Sequence, residues 1–152
     1  MIAAMSESTS NGDLVGLHPR LVVEGADAAL EFYAAAFGGE VVERYTGADG
    51  RVVHSMVVAG PVRFAVKDAG DGDPAPTGGG IPVIMSLDVS DADAVAARMR
   101  AGGATTIFEL ADHGYGDYGG RLRDPFGHQW MLSQRIEDLT AEQTQSRLDA
   151  MS

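Results

Sequence analysis

The chain contains two copies of one pattern. Val23-Glu24-Gly25-Ala26-Asp27-Ala28 aligns with Val89-Ser90-Asp91-Ala92-Asp93-Ala94 at an offset of 66 residues, and Val, Ala, Asp and Ala coincide. Each copy opens a run of helical spacing that ends in a glycine pair, Gly38-Gly39 and Gly102-Gly103, 64 residues apart. An internal repeat of a supersecondary unit fixes architecture more firmly than any single motif. In the first copy a strand ("HPRLVV", 18–23) leads into a helix over 26–37 that the glycine pair stops. Three strands follow, starting at Glu40, Arg51 and Pro61, with Ala48-Asp49-Gly50 and Ala59-Gly60 as turns. In the second copy a strand (81–89) leads into a helix over 91–101, capped by Ser90 or Asp91. The strands "ATTIFEL", "GGRLRD" and "HQWMLSQ" come next. Both halves therefore read β-α-β-β-β.

The repeat divides the chain into a disordered leader (1–16), a first module (17–68), a Gly/Pro/Asp linker (69–80), a second module (81–134) and a polar tail (135–152). The tail is expected to carry a short helix from Thr140, as a surface or dimer-edge element with frayed ends. The leader has neither the basic start nor the apolar run of a signal peptide. The net charge of -11 argues against nucleic acid and anionic membranes as partners. The absence of cysteine removes disulfides, thiolate metal sites and cysteine nucleophiles, and fits a cytoplasmic protein.

Strand alternation places the candidate site residues. Leu21 and Val23, Val62, Phe64 and Val66, and Leu122 form the faces packed under helices. His18 and Arg20, Arg63, Ala65 and Lys67, and Arg121 and Arg123 then face the other way. If those faces line a cavity, it is basic inside an acidic protein. His54, in mid-strand, can join His18 there, each a candidate base or hydrogen-bonding group; the plainer reading of either is structural. Tyr115 and Tyr118, in the loop Gly114-Tyr115-Gly116-Asp117-Tyr118-Gly119, can cover a planar ligand as a flap. Trp130 packs in the core under the second helix, while Gln129 and Met131 alternate with it toward the cavity. His113 reads as solvent-facing and His128 as structural or rim. Gly78 to Gly80 lack the Lys-Ser/Thr of a phosphate loop.

"LVVEGADAALEFYAAAFGGEVVERY", "VVHSMVVAGPVRFAVKDA" and the turn into the last strand, "GGRLRDPFGHQWMLSQRIEDLT", resemble the vicinal oxygen chelate superfamily of glyoxalases, bleomycin-resistance proteins and extradiol dioxygenases, and specifically its PhnB-like branch. The resemblance implies an α+β fold of two tandem βαβββ modules, forming curled mixed sheets around a cavity. It also implies a homodimer and a small-molecule ligand. Metal-dependent members place a ligand on the first and last strand of each module. Here those positions fall on His18, near Ala65, near Val83 or Ile84, and on Met131. Only His18 is a good donor, so the expectation is no metal and no cofactor. Three functions remain open: a metal-free binding protein for an antibiotic or metabolite; a lyase, isomerase or dioxygenase-type enzyme with a substituted metal site or a His18 or His54 base; and a dimeric assembly with a vestigial pocket. The acidic chain suits a cationic ligand, whereas the basic face suits an anion.

Overall fold

The computed structural model describes residues 12–14, 16–76 and 80–151. Most of the expected leader, and residues 77–79 with Gly78 and Gly79 of the glycine run, lie outside the described residues. The first module comprises β1 (Arg20–Val23), α1 (Ala26–Phe37), β2 (Glu40–Thr46), β3 (Val52–Ala59) and β4 (Val62–Asp68). The second comprises β5 (Met85–Asp88), α2 (Ala92–Ala101), β6 (Thr105–Asp112), β7 (Asp117–Arg123) and β8 (Gln129–Arg135), and α3 (Ala141–Ala150) follows. Two four-stranded sheets result, ordered β1-β4-β3-β2 and β5-β8-β7-β6. In each, the first and last strands of the module pair in parallel and the other pairs are antiparallel.

The 66-residue offset survives in three dimensions. Arg20 pairs with Ala65, and Ser86 with Met131, at equivalent points of the two sheets. The helices also start alike. The Ala26 amide donates to Asp68 Oδ1 at 2.8 Å, and the Ala92 amide to Gln134 Oε1 at 2.8 Å. Each module thus satisfies a free helix N-H from its own last strand. Asp91 adds a side-chain cap to α2, accepting from Ala94 N, while Gly25 cannot cap α1 in this way. Gly38 ends α1 at φ 68°, a conformation glycine adopts without penalty.

The helix faces of both sheets meet in one core. Leu21, Val23, Phe64, Val66, Leu122 and Leu132 are buried there with Tyr33 of α1 and Met99 of α2. Trp130 is core, as alternation requires. Its ring neighbours, however, are Tyr33 and Phe37 of α1 and Phe64 of β4, so it binds the modules together rather than sitting under α2 alone. Among the described residues no strand closes over the opposite, open faces. β2 is exposed along its whole length. α3 begins with a Thr140–Gln143 capping box and buries no residue.

Candidate functional site

On the first sheet's open face, the small side chain of Ala65 lets Arg20 reach across β4. Arg20 Nη2 donates to the Val53 carbonyl at 3.1 Å, and Nη1 lies 3.3 Å from His54 Nδ1. Guanidinium only donates, so Nδ1 is the acceptor and Nε2 carries the proton that goes to Glu43 Oε1 at 2.9 Å. The His54 ring also stacks on Tyr45. Both nitrogens are engaged, which leaves His54 no free lone pair with which to take a proton from a substrate. Lys67 is buried rather than open, its Nζ donating to Asp73 Oδ2 at 2.8 Å and to the Gly70 carbonyl. That hydrogen bond, and then the ammonium charge, hold the Asp73 carboxyl below its usual range. Arg63 is exposed.

His18 precedes β1 and is exposed. It lines a cavity of about 360 Å³ at the seam between modules, with Leu17, Arg20, Pro82, Val83, Met85 and His128. An adjoining cavity of about 470 Å³ shares Arg20 and His128 and is walled by Pro74, Pro76 and Ile81. His54 lines neither. The expectation that the two histidines share a cavity is corrected: Glu43 and Arg20 hold His54 farther along the sheet. His128 is structural, buried with Nε2 donating to the Val22 carbonyl at 3.0 Å, a bond between modules.

The four positions that the resemblance maps to metal ligands can be tested against their side chains. His18 and Ile84, and Ala65 and Met131, are each 66 residues apart, as equivalent positions should be. Ala65 is wholly buried, Val83 and Ile84 are hydrocarbon, and Met131 offers only a soft thioether. Among the described residues, no three His, Asp or Glu side chains come together as a metal group. This donor set does not fit the divalent metal of the metal-dependent members.

The second sheet's open face carries the other candidates. Across it, Arg121 pairs with Met131 and Arg123 with Gln129, and Phe108 of β6 pairs with Arg121. A cavity of about 260 Å³ lies on this sheet, lined by Phe108, His113, Tyr115, Arg121, Met131 and Ser133, among others. His113 is exposed as expected, yet its Nε2 donates to the Gly119 carbonyl at 2.9 Å and its ring stacks on Tyr115. The strands crowd here. A Cβ on Gly119 would collide with the Leu132 carbonyl, and one on Gly120 would lie 2.5 Å from the Phe108 carbonyl. Arg121 spreads its guanidinium 5.3 Å from the Phe108 ring centroid, and Nη1 reaches buried Gln129 at 3.4 Å. Among the described residues the Nε atoms of Arg121 and Arg123 are buried without a hydrogen-bond partner. An unmade bond of this kind costs about 1–3 kcal/mol, and more for a charged group.

Tyr118 does not join this cavity. β7 already includes Asp117 to Gly119, so the two tyrosines do not form one flap. Tyr118 stands on the helix face and donates to Asp93 Oδ1 of α2 at 2.6 Å, which raises its own pKa. Its expected ligand role is corrected to a strut between β7 and α2.

The residue that sequence reasoning missed is Asp124. The turn Asp124-Pro125-Phe126-Gly127 forms as read, with Gly127 at φ 97°. Its aspartate, however, is buried, and it accepts from Tyr33 Oη at 2.6 Å, Trp130 Nε1 at 2.8 Å and the amides of Phe126 and His128. Burial, then the Asp124 charge, push the Tyr33 hydroxyl well above the ordinary tyrosine value. The available signal was the presence of two aromatics with polar tips, which seek a partner when buried.

Among the described residues, no helix is long and apolar enough to cross a membrane. The chain is 34% identical over 140 residues to an uncharacterized protein of Mycobacterium tuberculosis, covering 88% of this chain and 82% of that one. The solved structure of TioX from Micromonospora superposes with a TM-score of 0.63 at 26% identity, covering 80% of this chain and all of the other. A PhnB protein from Bacillus cereus, at 22% identity, shares the fold with a TM-score of 0.57 over 78% of this chain and 98% of its own. The family model for the glyoxalase/bleomycin resistance protein/dioxygenase superfamily matches residues 17–132. The chain belongs to that superfamily.

Proposed function

We propose that the protein binds a small molecule, an antibiotic or metabolite, without a metal, as a cytoplasmic homodimer. One observation carries this reading: three of the four mapped metal positions lack a suitable donor, while both sheets keep polar side chains turned to open faces and cavities. The enzyme alternative draws less support, because His54 has both nitrogens engaged, and among the described residues no carboxylate pairs with His18. His18 would act by hydrogen bonding at the seam.

Elemental analysis paired with a thermal-shift screen of small molecules tests the proposal. Metal should stay at background, and a ligand at 100 times its Kd should stabilise the fold by about 2.7 kcal/mol. His18→Ala should weaken the seam ligand and leave metal content unchanged. Near one metal per chain, lost in that variant, would put the enzyme reading first.

A further inference from the structure

The basic residues of this chain fall into distinct groups. Arg44, Arg51, Lys67, Arg135 and Arg147 each pair with a carboxylate. Arg98 and Arg100, on α2, bond to the Ala36 carbonyl and to Thr106. The four arginines of the open sheet faces are different. Among the described residues Arg20, Arg63, Arg121 and Arg123 have no carboxylate within ion-pair distance, although acidic residues outnumber basic ones by two to one. The carboxylates nearby are already taken: Glu43 by His54, Asp73 by Lys67, and Asp117 by Arg135 at 3.4 Å. Two of the four arginines also keep a buried Nε with no acceptor among the described residues; Arg121 lines the second sheet's cavity, and Arg123 follows it on the same face of β7.

We propose that this face binds a planar organic carboxylate, the anion on Arg121 and Arg123 and the flat body against Phe108, Met131 and Tyr115. The inference rests on the small-molecule-binding reading and names the ligand class. A guanidinium suits the assignment because it meets a carboxylate in a two-pronged geometry that an ammonium cannot reproduce. Phe108 already supports the Arg121 guanidinium from one side, which orders it before a ligand arrives. The stacked His113 and Tyr115, anchored on the Gly119 carbonyl, give a second flat surface across the cavity.

The test is a backbone-amide NMR titration of the full-length protein with benzoate and 2-naphthoate, each beside its neutral amide. Expected are saturable shifts concentrated on β6, β7 and β8, with the carboxylates binding at least tenfold tighter than the amides. Arg121→Gln should abolish that preference and leave amide binding within twofold. Arg121→Lys, which keeps the charge but not the fork, should recover only part of it. Arg51→Gln, in the turn between β2 and β3 of the first module and paired with Asp49, should change nothing. Trp130 fluorescence reports that each variant is folded. Equal binding of acid and amide, no saturable shifts, or an Arg121→Gln protein that keeps the preference overturns the proposal. So does an Arg121→Gln protein whose only change is in self-association, because the guanidinium then serves assembly. Binding of neutral or cationic compounds alone, with metal at background, would defeat this inference while leaving the small-molecule reading intact.

Discussion

Tyr33 and Asp124 show how much of this fold depends on one buried carboxylate. Asp124 collects four donors, one of them from α1 of the other module. Tyr33→Phe removes the Oη donor and nothing else, and should cost about 1.5–3 kcal/mol in chemical denaturation near neutral pH. The sign of its pH dependence follows from the raised tyrosine pKa. The hydroxyl stays protonated in the folded chain, whereas in the unfolded chain it ionises at about pH 10. Its contribution is complete below that pH and is lost as pH rises toward the folded value. The stability gap between the native protein and Tyr33→Phe should therefore narrow above about pH 10; a constant gap would deny the bond its role. The sequence marked the turn from Pro125 and Gly127, whose backbone demands are local. It could not show that Asp124 faces inward, because its partner lies 91 positions upstream. The candidate site was legible to the same degree. Alternation put Arg121, Gln129 and Met131 on one face of the second sheet, where they are neighbours, because a period of two needs no long-range information. For Tyr118 loop composition misleads: β7 starts at Asp117, and the same period, counted from buried Leu122, turns Tyr118 to the helix face.

At the scale of elements, the repeat was legible because each helix carries its own start and stop. The helical spacing and glycine pair placed α1 at 26–37, the bounds it has. The strand expected over 81–89 shrank to Met85–Asp88 because only those four residues find ladder partners on β8, and Pro82 has no amide to offer. The contact between the two modules was not legible in either repeat taken alone. One glycine marks the close approach of α1 and α2: a Cβ on Gly102 would lie 2.7 Å from the ring of Phe32 in α1. Gly102 has φ −88°, which any residue adopts, so glycine is needed there for space and not for conformation. Gly102→Ala should then cost about 1–3 kcal/mol as overpacking between the helices. A thermal midpoint unchanged from that of the native protein would mean that α1 and α2 are not packed so closely.

At the scale of the molecule, each chain leaves two sheet faces open. β2 and β6 are edge strands; Val42, Tyr45, Ile107 and Phe108 stay exposed on them, Val53 on β3 beside β2, and Met131 on β8. Exposed edges with apolar side chains are a liability in a soluble monomer, and covering them with a second copy resolves it. A two-fold contact uses the same patch twice, so one face made of two repeats is well suited to it. A stable pair needs an interface of roughly 1,600 Å² in total, which requires a whole open face and not a single edge. The expected outcome of sedimentation at micromolar concentration is a species of about twice the 15.9 kDa chain mass. Tyr45 is 58% exposed on β2, stacked on His54 and outside the buried core. Tyr45→Lys should therefore shift the equilibrium toward the single chain while leaving the circular dichroism spectrum unchanged. A native protein that sediments only at the chain mass would refute the homodimer, and the open faces would then have to serve the ligand alone.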